Sequence, residues 1–242
     1  MLYMIGIGLN DEKDISIKGL ESIKKCKYVY LELYTSMLNV PISKLENLYG
    51  KKIIISDRSL IENTNEIMEK SKKHKLALLI IGDVFSATTH INFLLECKKN
   101  NIECKIIHNA SVITAVGEIG LEIYKYGKTT SIPFDYSNIN TPIEVINQNI
   151  KSNLHTLVLL DLDPKDNKFL RINEAIKYLI SKGFNENKKI IACCALGGDS
   201  EIKYETALNL SKMNFEKMPQ CIIVPSNKLH FVEEEALDIY SA

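Results

Sequence analysis

The sequence carries no excess charge of either sign: Lys plus Arg and Asp plus Glu both number 30. A partner held mainly by phosphate attraction is therefore not expected, and no nucleic-acid interface is. Arginine is scarce, with Arg58 and Arg171 the only two. No apolar run approaches the roughly 20 residues that a membrane-spanning helix needs, so no membrane partner is expected. The opening stretch MLYMIGIGLNDEKD has no basic leader before its apolar run and turns acidic at Asp11, which reads against a signal peptide. None of the six cysteines falls in a CxxC spacing and no two histidines in HxxxH, so no metal site is expected. The cysteines read as free thiols in a reducing compartment, and the expected location is cytoplasmic. Also missing are a GxSxG nucleophile elbow and any legible Ser/His/Asp or Cys/His set. Covalent catalysis has no candidate, and no catalytic residue is assigned.

What is present is a chain of 242 residues, 45% hydrophobic and 25% charged, which is ordinary for a globular enzyme with a sizeable core. Its front half alternates apolar runs with helical patterns. LYMIGIG, YVYLELY, KIIIS, LALLIIGD and IECKIIH read as strands. SIKGLESIKKC places Ile15, Leu20 and Ile23 near one helical face, while IENTNEIMEKSKKH and THINFLLECKKNN read as further helices. Aliphatic strands separated by helices predict a parallel sheet covered on both faces. After HNASVITAVGEIG the pattern restarts in a different style. TTSIPF, HTLVLLDLD, KKIIACCALGG and PQCIIVPS read as strands; PIEVINQNIKSN, INEAIKYLIS, YETALNLSKM and LHFVEEEALDIY read as helices. The domains expected are 1–110 and 111–242, with no repeat or low-complexity linker between them.

In an open α/β sheet, ligands bind where strands deliver their carboxyl ends. Three such ends share a chemistry here: GIGLN, GDVFSATTH and HNAS. Each combines small residues with a few hydrogen-bonding groups, which suits a polar, hydroxyl-bearing small molecule. Gly6 and Gly8 permit close approach, but the third glycine of a dinucleotide fingerprint is replaced by Asp11, which would repel a pyrophosphate. A nucleotide-dependent oxidoreductase is disfavoured accordingly. Asp83 and Ser86 have two readings, as caps of a helix beginning near Thr88 or as acceptors for a ligand such as sugar hydroxyls. The position of Asp83 directly after a buried strand favours the second. His90 reads equally as a first-turn surface residue, and His108 and His155 as structural. Glu233 to Glu235 read as a solvated helix face, and the lysine runs at 72–75, 98–99 and 188–189 as solvated segment ends.

In order along the chain, MLYMIGIGLNDEKDISIKGLESIKKC, VYLELYTS, GDVFSATTH, IIHNASVITAVGEIGLEIYKYGKTTSIPF and LHTLVLLDLD resemble the diphthine synthases. These are S-adenosylmethionine-dependent methyltransferases of the tetrapyrrole-methylase type. The resemblance runs over about the first two thirds and weakens towards the C-terminus. It implies two α/β domains, the first with a mostly parallel sheet and the second with a mixed one, and S-adenosylmethionine in the cleft between them. It implies a homodimer, S-adenosylhomocysteine as product, and repeated methylation of a modified histidine of elongation factor 2 on the route to diphthamide. Carried over residue by residue, the cofactor contacts are Leu9, Asp83, Ser86, Ser111, Val112, Leu160, Leu196 and Gln220.

Three departures from the family pattern stand out. Val84 and Ser86 replace the proline and glycine of GDPFGATTH, only PKDNKFLRI follows Asp163, and CALGGDSE lacks an arginine before its glycine. The alternatives are a tetrapyrrole methyltransferase of the same fold and a cofactor-binding scaffold without turnover. A ribosomal RNA methyltransferase should show a basic groove, and none is evident.

Overall fold

The computed structural model describes residues 1–34, 36–56 and 63–241. They form two compact units, Met1–Ile113 and Thr114–Ala242, the last residue lying outside the described ones.

In the first unit, β1 (Leu2–Gly6), β2 (Tyr28–Glu32), β3 (Ile54–Ser56), β4 (Leu76–Ile80) and β5 (Cys104–Ile107) form one sheet in the order β3-β2-β4-β1-β5. All its ladders are parallel. The helices are α1 (Ile17–Lys24), α2 (Ile42–Tyr49), α3 (Asn65–Lys73) and α4 (Ile91–Lys99). The period of two along each strand sorts its side chains between two cores. Ile5, Ile7, Leu31, Ala77 and Leu79 meet Ile23 of α1 and Leu45 and Tyr49 of α2 on one face. Leu2, Met4, Tyr30, Leu76, Leu78 and Ile80 meet Ile67 of α3 and Phe93 and Cys97 of α4 on the other. Burial on both sides is why these strands are apolar throughout rather than alternating.

Local chemistry sets the helix ends. Ser16 Oγ caps α1 by accepting from the Gly19 amide at 3.1 Å, and Gly50, at φ 65°, ends α2. α2 is not among the elements that the apolar pattern predicts; its signals are the punctuating Pro41 and Gly50.

In the second unit, β6 (Thr130–Ile132), β7 (Thr156–Leu160), β10 (Lys189–Cys194), β11 (Glu201–Thr206) and β12 (Gln220–Val224) form a sheet in the order β11-β10-β12-β7-β6. It is mixed: β6 runs parallel to β7, and the other neighbours are antiparallel. A small hairpin of β8 (Leu162–Asp163) and β9 (Lys168–Phe169) occupies the short connection after β7. The helices that follow α5 (Val112–Ala115) are α6 (Thr141–Lys151), α7 (Ile172–Ser181), α8 (Ala207–Leu210) and α9 (Phe231–Asp238). Ile143 and Ile146 of α6 and Ile172, Ile176 and Leu179 of α7 pack on Val158, Ile190, Ala192 and Ile222 of the sheet.

The helix expected over YETALNLSKM is one turn long. Tyr204 to Thr206 extend β11 instead, where Tyr204 faces Ile191 of β10 and its amide donates to the Tyr240 carbonyl at 2.9 Å. Ladder bonds on both sides outweigh a local helical preference. Among the described residues no helix is long and apolar enough to cross a membrane.

Candidate functional site

β1 lies between β4 and β5, and all three run parallel, so their carboxyl ends emerge side by side. β2 lies beyond β4 on one side of β1 and β5 lies on the other, the arrangement that opens a crevice at strand ends. Three glycines bring the emerging chains together. A Cβ at Gly6 would lie 2.6 Å from the Gly82 carbonyl oxygen and 2.9 Å from Asn109 Cβ. Gly8, at φ 83°, would place a Cβ 2.2 Å from Asp14 Cβ. The Gly82 amide donates to the Gly8 carbonyl at 2.7 Å, continuing the contact of β1 and β4 past the strands. Gly82 itself, at φ 81°, has Leu9 Cδ2 at 3.7 Å and Ser111 Cα at 3.8 Å from its missing Cβ, an ordinary contact distance. Leu9, Gly82 and Ser111 therefore converge, though 73 and 29 residues separate them in the chain.

Asp83 joins two of these ends. Its Oδ1 accepts from the Phe85 amide at 3.1 Å, closing an Asx turn, and from Ser86 Oγ at 3.4 Å. Its Oδ2 accepts from His108 Nδ1 at 2.8 Å and from the Asn109 amide at 3.1 Å. Burial alone would raise the carboxyl, but the Phe85 and Asn109 amides and the His108 ring outweigh it and hold the group below its ordinary value. Asp83 and Ser86 do not cap the next helix, which begins at Ile91 with His90 before it. They brace the turn at the end of β4 against the end of β5. The expected helix start near Thr88 is thus displaced to Ile91.

The second unit gathers its own candidates at one end of its inner strands. Gln220, at the start of β12, faces Cys194 at the end of β10, and the neighbouring pair Cys221 and Leu159 sets Leu160 beside it. Leu160 and Leu196 are buried. The Gln220 amide is fully engaged: its oxygen accepts from the Ile172 amide at 2.9 Å, and its nitrogen donates to the Phe215 and Lys217 carbonyls, both at 3.0 Å.

Comparison with known proteins places this geometry. The family model described as tetrapyrrole (corrin/porphyrin) methylases matches residues 1–210. The chain belongs to the tetrapyrrole methylase family. Within it, a diphthine synthase of Methanosarcina barkeri is 37% identical over 98% of this chain and 94% of its own. A diphthine methyl ester synthase of Schizosaccharomyces pombe is 44% identical over 69% of this chain and 60% of its own. A crystal structure of a diphthine synthase has a TM-score of 0.93 and is 34% identical, covering 99% of this chain and 95% of that one.

For a tetrapyrrole methylase, the crevice has a telling charge pattern. The loops at 8–14, 82–90 and 108–112 carry Asp11, Glu12, Asp14 and Asp83 against Lys13 alone, with His108 beside Asp83. Such a surface tolerates a cationic ligand and disfavours a phosphate. With Gly6 and Gly8 packed closely against Asn109 and Asp14, and Gly82 keeping ordinary contact distance to Leu9 and Ser111, the residues fit a sulfonium nucleoside.

One histidine and one glutamate stand elsewhere than the sequence predicts, while His108 and His155 are structural as expected. His90 is not a surface residue; it is buried, with Nδ1 2.7 Å from Thr88 Oγ1. Burial lowers its pKa, while Glu32 and the Val84 backbone act in the opposite sense. His108 is largely exposed and holds Asp83. Glu233 is not solvated: it is 1% exposed and bonded to Lys125, His155 and two amides, whereas Glu234 and Glu235 are exposed as expected. Asn109 and Asp14 lie in HNAS and GIGLNDEKD, where nothing local marks them as candidates. Their roles come from bonds across the chain that no local pattern encodes.

Proposed function

We propose that this chain transfers methyl groups from S-adenosylmethionine to the modified histidine of elongation factor 2, repeatedly, in a cytoplasmic homodimer. The chain is a methyltransferase of diphthamide biosynthesis, as its family membership and its diphthine synthase relatives support. The observation that carries the reading is the convergence of Leu9, Gly82 and Ser111 at the acidic carboxyl ends of the parallel strands.

When bound, the cofactor supplies an electrophilic methyl carbon. The residues of this chain bind and orient. In the first unit Leu9, Ser86, Ser111 and Val112 hold it, and Asp83 acts through its turn. A carboxylate has about four lone-pair sites, and four donors within the protein fill those of Asp83. In the second unit Leu160 and Leu196 offer apolar contact, and Gln220 contributes through its backbone because its side chain is engaged. Methyl transfer is an in-line displacement from a leaving group that needs no proton. Holding the amine and the methyl close and aligned supplies several kcal/mol, so alignment is the main contribution of the protein.

The test is methylation of elongation factor 2 that bears the unmethylated histidine precursor, followed by mass spectrometry of that residue. Gains in methyl-sized steps support the proposal. Binding of the cofactor with no gain in mass, or no binding at all, overturns it.

A further inference from the structure

We propose that Asn109 is the positioning residue of the cofactor site, tying together the three chain segments that form its floor; this rests on the cofactor reading above. Asn109 follows β5 directly. Its Nδ2 donates to the Gly6 carbonyl, 103 residues away, and to the Asp14 carbonyl, 95 residues away, both at 3.0 Å. Its Oδ1 accepts from the Ala110 amide at 2.8 Å, and its own amide donates to Asp83 Oδ2 at 3.1 Å. The side chain thus uses both N–H donors and its carbonyl, each on a different strand end or loop.

The ties continue to the ligand-facing residues. Asp14 Oδ2 accepts from the amides of Leu9 at 3.0 Å and Asn10 at 2.8 Å. Leu9 is therefore fixed through Asp14, whose carbonyl Asn109 holds. Ser111 is fixed through Ala110, whose amide Asn109 also holds. Gly82 sits between Leu9 and Ser111 and is reached through Asp83. Gly6 leaves the room that this requires, since its missing Cβ would lie 2.9 Å from Asn109 Cβ. The side chain holds the loop after β1 to the segment after β5, and the backbone amide of the same residue adds the turn after β4 through Asp83, so one residue sets the spacing of all three segments.

Two variants separate this role from packing. Asn109→Ala removes the amide. Asn109→Asp keeps the shape and the acceptor but loses both donors and sets a charge beside two carbonyls. Calorimetry with S-adenosylhomocysteine, steady-state kinetics in S-adenosylmethionine and thermal unfolding are measured on the full chain. Both variants are expected to raise the dissociation constant and KM about ten- to a hundredfold, while kcat at saturating cofactor stays within roughly threefold. Asp14→Ala, which frees the Leu9 and Asn10 amides but leaves the carbonyl that Asn109 holds, should move the same constants in the same direction. It also keeps the test open if Asn109→Ala does not fold. Wild-type affinity in Asn109→Asp overturns the role of Asn109, and wild-type affinity in Asp14→Ala overturns the link by which it reaches Leu9. Failure of the unaltered chain to bind S-adenosylhomocysteine overturns the cofactor reading itself, a separate result.

Discussion

Glu233→Ala is expected to destabilise the chain by about 3–5 kcal/mol, the cost of breaking a buried charge network by removing one member. Glu233 lies in the first turn of α9 and is 1% exposed. Its Oε1 accepts from the Glu122 amide at 3.0 Å and from His155 Nε2 at 2.9 Å. Its Oε2 accepts from the His230 amide at 2.8 Å and from Lys125 Nζ at 2.5 Å. The Ser226 amide donates to His155 Nδ1 at 3.0 Å, so the neutral ring carries its proton on Nε2 and gives it to Glu233. Removing the carboxylate leaves Lys125, His155 and two amides without their acceptor. Denaturant unfolding of both proteins measures the loss, and a difference under about 1 kcal/mol would show the network to be dispensable.

The same group predicts the acid limb of stability. Burial acts to raise the Glu233 carboxyl, but Lys125, the two amides and His155 together hold it at about 2, against an ordinary 4.5. The folded-state value is depressed, so the stabilisation is complete above 4.5 and is lost as pH falls towards 2, amounting to about 3 kcal/mol. His155 acts in the same direction at higher pH. Burial lowers its pKa despite Glu233, so the unfolded chain takes up a proton near 6.5 before the folded one does. Thermal unfolding against pH should show a decline beginning near 6.5 and steepening below 4.5. In Glu233→Gln the steep lower part should flatten.

Asp83→Ala carries the second large effect, on the cofactor site. Loss of the acceptor unpairs the Phe85 and Asn109 amides, the Ser86 hydroxyl and His108 together, and affinity for S-adenosylhomocysteine should weaken by about 1–3 kcal/mol. The turn after β4 and the end of β5 would no longer be braced against each other, so the effect arises from displaced backbone. Calorimetry decides it: unchanged affinity in a folded variant would reduce Asp83 to a fold-stabilising group. Because both residues fix the segment after β5, Asp83 through the Asn109 backbone amide and Asn109 through its side chain, Asp83→Ala and Asn109→Ala should be less than additive when combined.

Much of the architecture was readable from residue order alone. LALLI and LYMIG are buried at every position because both faces of their sheet are covered, and continuous burial leaves an unbroken apolar mark in a sequence without any structure. The glycines at 6 and 8 read as places of close approach, and the structure fills that room with Asn109 and Asp14 of the chain itself. Residue order also carried the family likeness, through motifs spaced in a fixed sequence, and with it the methyltransferase chemistry.

What only the tertiary structure decided is the assignment of individual polar groups. YETALNLSKM satisfies a helical pattern, yet Tyr204 to Thr206 join β11 because β10 on one side and Tyr240 on the other offer ladder bonds. EEE reads as a wet helix face, yet Glu233 turns inward to His155 and Lys125, 78 and 108 residues away. Asn109 looks like any turn residue until Gly6 and Asp14 are brought beside it. Period and propensity are local quantities, whereas a carboxylate or an amide takes its role from whichever donors and acceptors the fold sets within about 3 Å.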